Sequence, residues 1–155
     1  MSGKIDAIKA FTEMGLFRLR GVVKDLKEEQ LDWKYCPQAN TIRWILTHLA
    51  SELHVFIPKI LTGDKEYKPE GWPDDYVGNQ SYSLEKILGD IEEGEEIFMK
   101  KLDGLGEEVL SEEIDWFMGK RTKEYYLMLA ISEIHHHEGQ IAAILGVESR
   151  IKDNI

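Results

Sequence analysis

The chain reads as an all-α domain, a four-helix bundle with a long loop between its second and third helices. Three observations predict this. Four stretches carry apolar residues at steps of three and four, the period of an amphipathic helix. The segments between them are crowded with turn-forming residues. The 155 residues suit one domain, which at this length buries about two thirds of its unfolded surface.

The first helix is predicted from Lys4 to Leu26, with Ile5, Ile8, Phe11, Leu19, Val22 and Leu26 on one face. Gly15 and Gly21 weaken it, or let another helix come close. A connecting segment follows in which Pro37 and Asn40 suit a turn before a helix start. The second helix is predicted from Thr41 to Leu61 on the stripe Ile45, Leu49, Leu53 and Phe56, and Pro58 should kink or end it. The loop beyond carries Gly63, Pro69, Gly71, Pro73 and Gly78 with Tyr67, Trp72 and Tyr76; loops this long are often functional. Ser83 is a natural N-cap for the third helix, which Leu84, Ile87, Leu88, Ile91, Phe98 and Leu102 line and Gly104 and Gly106 end. Glu112 to Arg121 fit a short hairpin or an extended pass equally well. The fourth helix is predicted from Thr122 to Leu145 with Tyr126, Leu129, Ala130, Ile141 and Ile144 inward, and Gly146 in the place of a C-cap glycine.

Composition narrows the function. Hydrophobic residues make up 43% and charged residues 31%, a globular balance rather than a disordered one. With 29 acidic against 19 basic residues the formal charge is -10, which repels phosphate backbones and anionic membranes alike. Neither nucleic acid nor a membrane is therefore an expected partner. A single cysteine, Cys36, forms no disulfide within the chain; with no apolar run long enough to span a bilayer and no signal peptide, a cytoplasmic location is expected. Cys36 lies near no histidine in sequence. No phosphate loop, dinucleotide fingerprint or serine nucleophile elbow is present.

Two places interrupt the apolar stripes with residues that can do chemistry. His48 lies three residues after Ile45 and eight before Phe56, so it points near the core. In the last helix, Glu133 and His137 stand four apart, one turn above the other, the spacing by which one helix offers two ligands to one metal. His136, three from Glu133, is an alternative to His137; His135 should point sideways to solvent. A carboxylate and an imidazole in an apolar stripe are costly unless paired or metal-bound. Two readings follow: a hydrogen bond between Glu133 and a histidine inside the bundle, or a metal site that His48 completes. Two histidines and a glutamate leave coordination positions open, as catalytic zinc sites do, and the nitrogen-rich set also suits nickel or iron(II) rather than calcium or magnesium. Glu52, one turn after His48, reads as a solvated helix-edge carboxylate, with a base or a supporting partner as its functional alternative; His54 reads as surface.

At these motifs the chain resembles the DinB/YfiT-like family of small metal-binding bundles. The matching pieces are Asn40-Thr41-Ile42-Arg43-Trp44-Ile45-Leu46-Thr47-His48-Leu49-Ala50, His136-His137-Glu138-Gly139-Gln140-Ile141, Leu31-Asp32-Trp33 and Leu145-Gly146. The resemblance implies an up-down-down-up four-helix bundle, a homodimer, and a divalent metal such as zinc or nickel held by three side chains. Carried over, the ligands fall on His48, Glu133 and His137. Glutamate stands at 133 where the family's usual residue is histidine, and Glu138 stands where a basic residue is usual. The family includes transferases and isomerases that use low-molecular-weight thiols such as bacillithiol or mycothiol. The resemblance thus implies a metal-activated thiol or water, with Glu52 or Gln140 as candidates to orient the nucleophile. The readings that compete are a non-catalytic, stress-related helical dimer and a small-molecule binding module with a degenerate metal site.

Overall fold

The structure is a computed structural model and describes residues 3–154. Helix dominates it. The chain forms α1 (Lys4–Val23), a 3-10 turn (Glu28–Gln30), α2 (Ile42–Ser51), a π turn (Glu52–Phe56), α3 (Ile57–Thr62), α4 (Leu84–Asp103), the short α5 (Glu107–Leu110), strands β1 (Glu113–Trp116) and β2 (Gly119–Thr122), and α6 (Lys123–Lys152). No helix among the described residues is long and apolar enough to cross a membrane.

The helices start where capping chemistry places them. The Thr41 hydroxyl accepts the Trp44 N–H at 3.0 Å, Ser83 caps α4 through the Lys86 N–H at 3.2 Å, and Thr122 caps α6 through the Tyr125 N–H at 3.2 Å. α1 packs most extensively on α6, and α2 packs on both α4 and α6. The side chains of Leu16, Ile45, Leu49, Leu53, Ile87, Phe98, Tyr126 and Ile134 fill the core between them, each almost wholly out of solvent.

The second predicted helix runs through Pro58 without ending there. It widens instead: the Ile57 N–H reaches back five residues to the Glu52 carbonyl, so Glu52–Phe56 makes one π turn. Proline at the second position of α3 has no N–H to contribute and its ring needs room near the preceding turn, so a widened turn just before it relieves both conflicts. The widened turn buries Glu52, Leu53 and His54 in succession. α4 meets it at Gly94, where even a Cβ would come within 2.7 Å of the Leu53 Cβ.

Two helix ends differ from expectation. α1 stops at Val23 rather than Leu26. Residues 113–122 form a two-stranded hairpin, one of the two forms expected there, which adds a small sheet to the helical fold, with Gly119 in the left-handed conformation its turn requires (φ 78°). Trp116 of the hairpin stacks on Phe56 at 4.7 Å, and the Tyr126 hydroxyl donates to the Gly119 carbonyl at 2.7 Å. Gly146 is not a C-cap: α6 continues to Lys152, because buried Glu148 holds the extra turns through the Gln30 amide at 2.7 Å and the Lys152 ammonium at 2.7 Å. The left-handed C-cap glycine is Gly63, whose N–H closes α3 onto the Lys59 carbonyl at 2.9 Å.

Candidate metal centre

α2 and α6 face each other across the polar interruption of the core. His48, Glu133 and His137 each offer one ligand atom there, and the three atoms lie within 4.8 Å of one another. The grouping contains neither His136 nor Cys36. His48 stacks on Trp44, with centroids 5.1 Å apart and planes 17° from parallel, and meets His137 edge-on at 5.0 Å. Burial, and next the nearby His137, hold the His48 pKa below its ordinary value, so the ring is neutral at pH 7 and carries a lone pair.

His137 is fixed from behind. Its Nδ1–H donates to Oε1 of Gln140 at 2.8 Å, and Nε2 of Gln140 donates to Nε2 of the exposed His136 at 3.0 Å. This sets the tautomer: Nδ1 carries the proton, and the Nε2 lone pair is turned into the site. There Nε2 is buried with no hydrogen-bond partner; the nearest carboxylate oxygen, of Glu133, is 3.3 Å away. His137 and Glu133 thus face each other in an ion-pair contact without a formed hydrogen bond. An orphaned, buried imidazole lone pair costs free energy. Beside a second imidazole and a carboxylate it is what a divalent cation with mixed nitrogen and oxygen ligands would satisfy, so the residues present fit such an ion. Gln140 spends both ends of its amide on histidines, which makes it a support for a ligand.

Four neighbouring residues depart from expectation. Glu52 is no solvated edge: the π turn carries it inward, it is 8% exposed, and Oε2 has no partner. Burial, reinforced by the charge of Glu133, pushes its pKa up to about 8. His54 is buried rather than on the surface, because the loop covers that face: Trp72 stacks on its ring at 4.5 Å and its Nε2 bonds the Asp90 carbonyl at 2.7 Å. His135 turns to α1 rather than to solvent, stacking on Phe11 at 4.2 Å and donating to the Phe11 carbonyl at 3.0 Å across the gap that Gly15 leaves. Glu138, where a basic residue was the family's norm, is buried and pairs with Arg18 of α1 at 3.0 Å.

The raised pKa of Glu52 has a measurable consequence in metal-stripped protein. The folded state keeps the Glu52 proton up to about pH 8, whereas the unfolded chain releases it near 4.5. Stability from this residue is thus complete below pH 4.5 and is lost as pH rises toward 8. Urea unfolding of the stripped protein should show this decline, by a few kcal/mol at most, and Glu52→Gln should flatten it. An equal slope in the variant would refute the assignment.

Of the site, sequence spacing reached His48, Glu133 and His137. It named Gln140 as a candidate to orient a nucleophile but did not reach its bond to His137 or the stack of Trp44 on His48; the signal for both was helical spacing, since Trp44 lies four residues before His48 and Gln140 three after His137.

The geometry agrees with two comparisons. Residues 13–141 match the family model described as the DinB superfamily. The crystal structure of the conserved protein of locus from Enterococcus faecalis has a similar fold, with a TM-score of 0.66 and 18% identity over 89% of this chain and 92% of that one. No curated protein matches the chain. The family match takes in His48, Glu133 and His137 and spans most of the sequence, and the chain belongs to the DinB superfamily.

Proposed function

We propose that this chain is a divalent-metal-dependent enzyme of the DinB/YfiT-like type, a thiol-dependent transferase or a hydrolase, with His48, Glu133 and His137 as its metal ligands. The observation that carries the proposal is the buried Nε2 lone pair of His137, held in that tautomer by Gln140 and left without a hydrogen bond. Zinc or nickel suits the donor set, and at the open position such an ion supplies a lowered pKa for a thiol or water. The protein's own part is to shape the site: Trp44 backs His48, Gln140 backs His137, and the carboxyl of Glu52 borders the site beside His48 at 3.7 Å. In this reading the four long helical segments run up-down-down-up, and the protein is a cytoplasmic homodimer acting on a small molecule.

A second reading, a non-catalytic stress-related dimer or binding module with a degenerate site, draws on Glu133 in the family's usual histidine position. Elemental analysis of tag-free protein dialysed against zinc or nickel separates the two. Near-stoichiometric metal is expected, followed by transfer of a low-molecular-weight thiol to an epoxide or chlorinated aromatic. Protein that takes up neither metal would end the enzyme reading.

A further inference from the structure

The metal reading above leaves one buried donor unassigned. Glu52 lies on the same helical stretch as His48, one turn further on, and its Oε1 is 3.7 Å from the His48 Nε2. Across from it, Glu133 Oε2 is 3.3 Å from the His137 Nε2. Each facing segment thus carries one imidazole and one carboxylate at a four-residue spacing. Both separations exceed the hydrogen-bonding range of about 2.7–3.2 Å. Donors bound to one ion at about 2.0–2.2 Å stand roughly 3.3–3.6 Å apart at a tetrahedral angle. The Glu133–His137 separation falls in that range; the Glu52–His48 separation lies just beyond it, and Glu52 stands at the edge of the grouping of His48, Glu133 and His137, so its carboxylate has to turn toward the ion to join them.

We infer that Glu52 is a fourth protein donor to the ion, so that the centre is built from two histidines and two glutamates. Three observations carry this, and it rests on the metal reading. The Glu52 side chain is about nine-tenths buried with Oε2 unpartnered, so it has an unmet electrostatic need of its own. The π turn begins at this residue, and such turns recur at functional positions because they re-aim side chains. Charge gives the third. A dication held by one carboxylate and two neutral imidazoles leaves a net positive charge in a half-buried place, whereas two carboxylates cancel it. The resulting centre has a harder, more oxygen-rich donor set than two histidines and one carboxylate, and with four protein donors it keeps fewer positions open to substrate.

Cobalt(II) titration of metal-stripped protein tests this, because visible absorption reports the ligand set as well as occupancy. Glu52→Gln, which keeps shape and removes charge, is expected to weaken cobalt binding by about tenfold or more and to change the spectrum of the loaded form. Glu52→Asp, which keeps the charge but withdraws the oxygen by one methylene, should give an altered spectrum and intermediate affinity; thermal melts of the stripped variants check that each is folded. Affinity and spectrum unchanged in both variants, with binding lost in His137→Ala, would overturn the role of Glu52 and leave the metal reading standing. Wild-type protein that binds no cobalt would overturn both.

Discussion

Alanine at His137 is expected to strip the protein of stoichiometric metal. The substitution removes the one imidazole whose lone pair is both buried and pre-aimed by a partner on its other nitrogen. His48 and Glu133 remain, but they belong to different helices, and two donors without the pre-organised third hold an ion far less tightly. Two measurements read the effect together. Equilibrium dialysis should show near-stoichiometric zinc or nickel in the wild type and little in the variant. Thermal melts should show the wild type raised by added metal, since a ligand at a hundred times its Kd adds about 2.7 kcal/mol to stability, and the variant not raised. In metal-free buffer the two should differ much less, because the change also removes an unsatisfied buried nitrogen. A variant that still loads metal and still gains the melting shift would disprove the ligand role of His137.

The second large effect belongs to a residue outside the site. Arg43 is 4% exposed, and its guanidinium makes three hydrogen bonds of 2.9–3.0 Å to Asp32. It also donates to the Tyr82 carbonyl and reaches Glu28 at 3.4 Å. The other oxygen of Glu28 accepts the Leu84 N–H at 2.7 Å, at the start of α4. One side chain therefore ties the segment before α2, the end of the long loop and the first turn of α4. Asp32, chiefly by hydrogen bonding, holds its pKa above the ordinary arginine value. Arg43→Ala leaves the Tyr82 carbonyl and the acidic pair without their common partner. Because both carboxylates keep access to water, the expected cost is moderated to about 2–3 kcal/mol. For a domain of this size that is a fall in Tm of roughly 5–10 °C. Lysine should restore little, having one charged nitrogen and no planar fork. A melting temperature within a degree or two of wild type would show that the node carries no stability.

How much of this was legible in the sequence depends on which physical level each residue answers to. The grouping of His48, Glu133 and His137 was legible because spacing along a helix decides much of it: Glu133 and His137 share a face at any i, i+4, and His48 sits beside an apolar stripe. The helix starts at Thr41, Ser83 and Thr122 were legible because their hydroxyls act on backbone two or three residues away. Glu52, His54 and His135 were misread for a common reason. Helical phase says which way a side chain leaves its own helix and says nothing of what arrives to cover it. His54 is covered by the loop through Trp72, His135 by α1 through Phe11, and Glu52 by a turn whose widening is a matter of hydrogen-bond register rather than residue type. Gly146 was misread because the end of α6 is decided by a bond from Glu148 to Gln30, 118 residues distant in sequence.

The contact of Gly94 with the π turn has a further consequence. α4 donates nothing to the metal centre, yet it sets the wall against which the widened turn is pressed. Leu53 abuts Gly94 and His54 is held by the Asp90 carbonyl, while Asp90 itself is gripped by Tyr76 and Lys86. Tyr76 belongs to the long loop and packs at a tilt against Trp72, which lies on His54. The loop, α4 and the π turn are thus one mechanical train, and its last member is Glu52. The setting of Glu52 thus depends on the loop between α3 and α4, a place where the width of the proposed site can be tuned with His48, Glu133 and His137 left untouched.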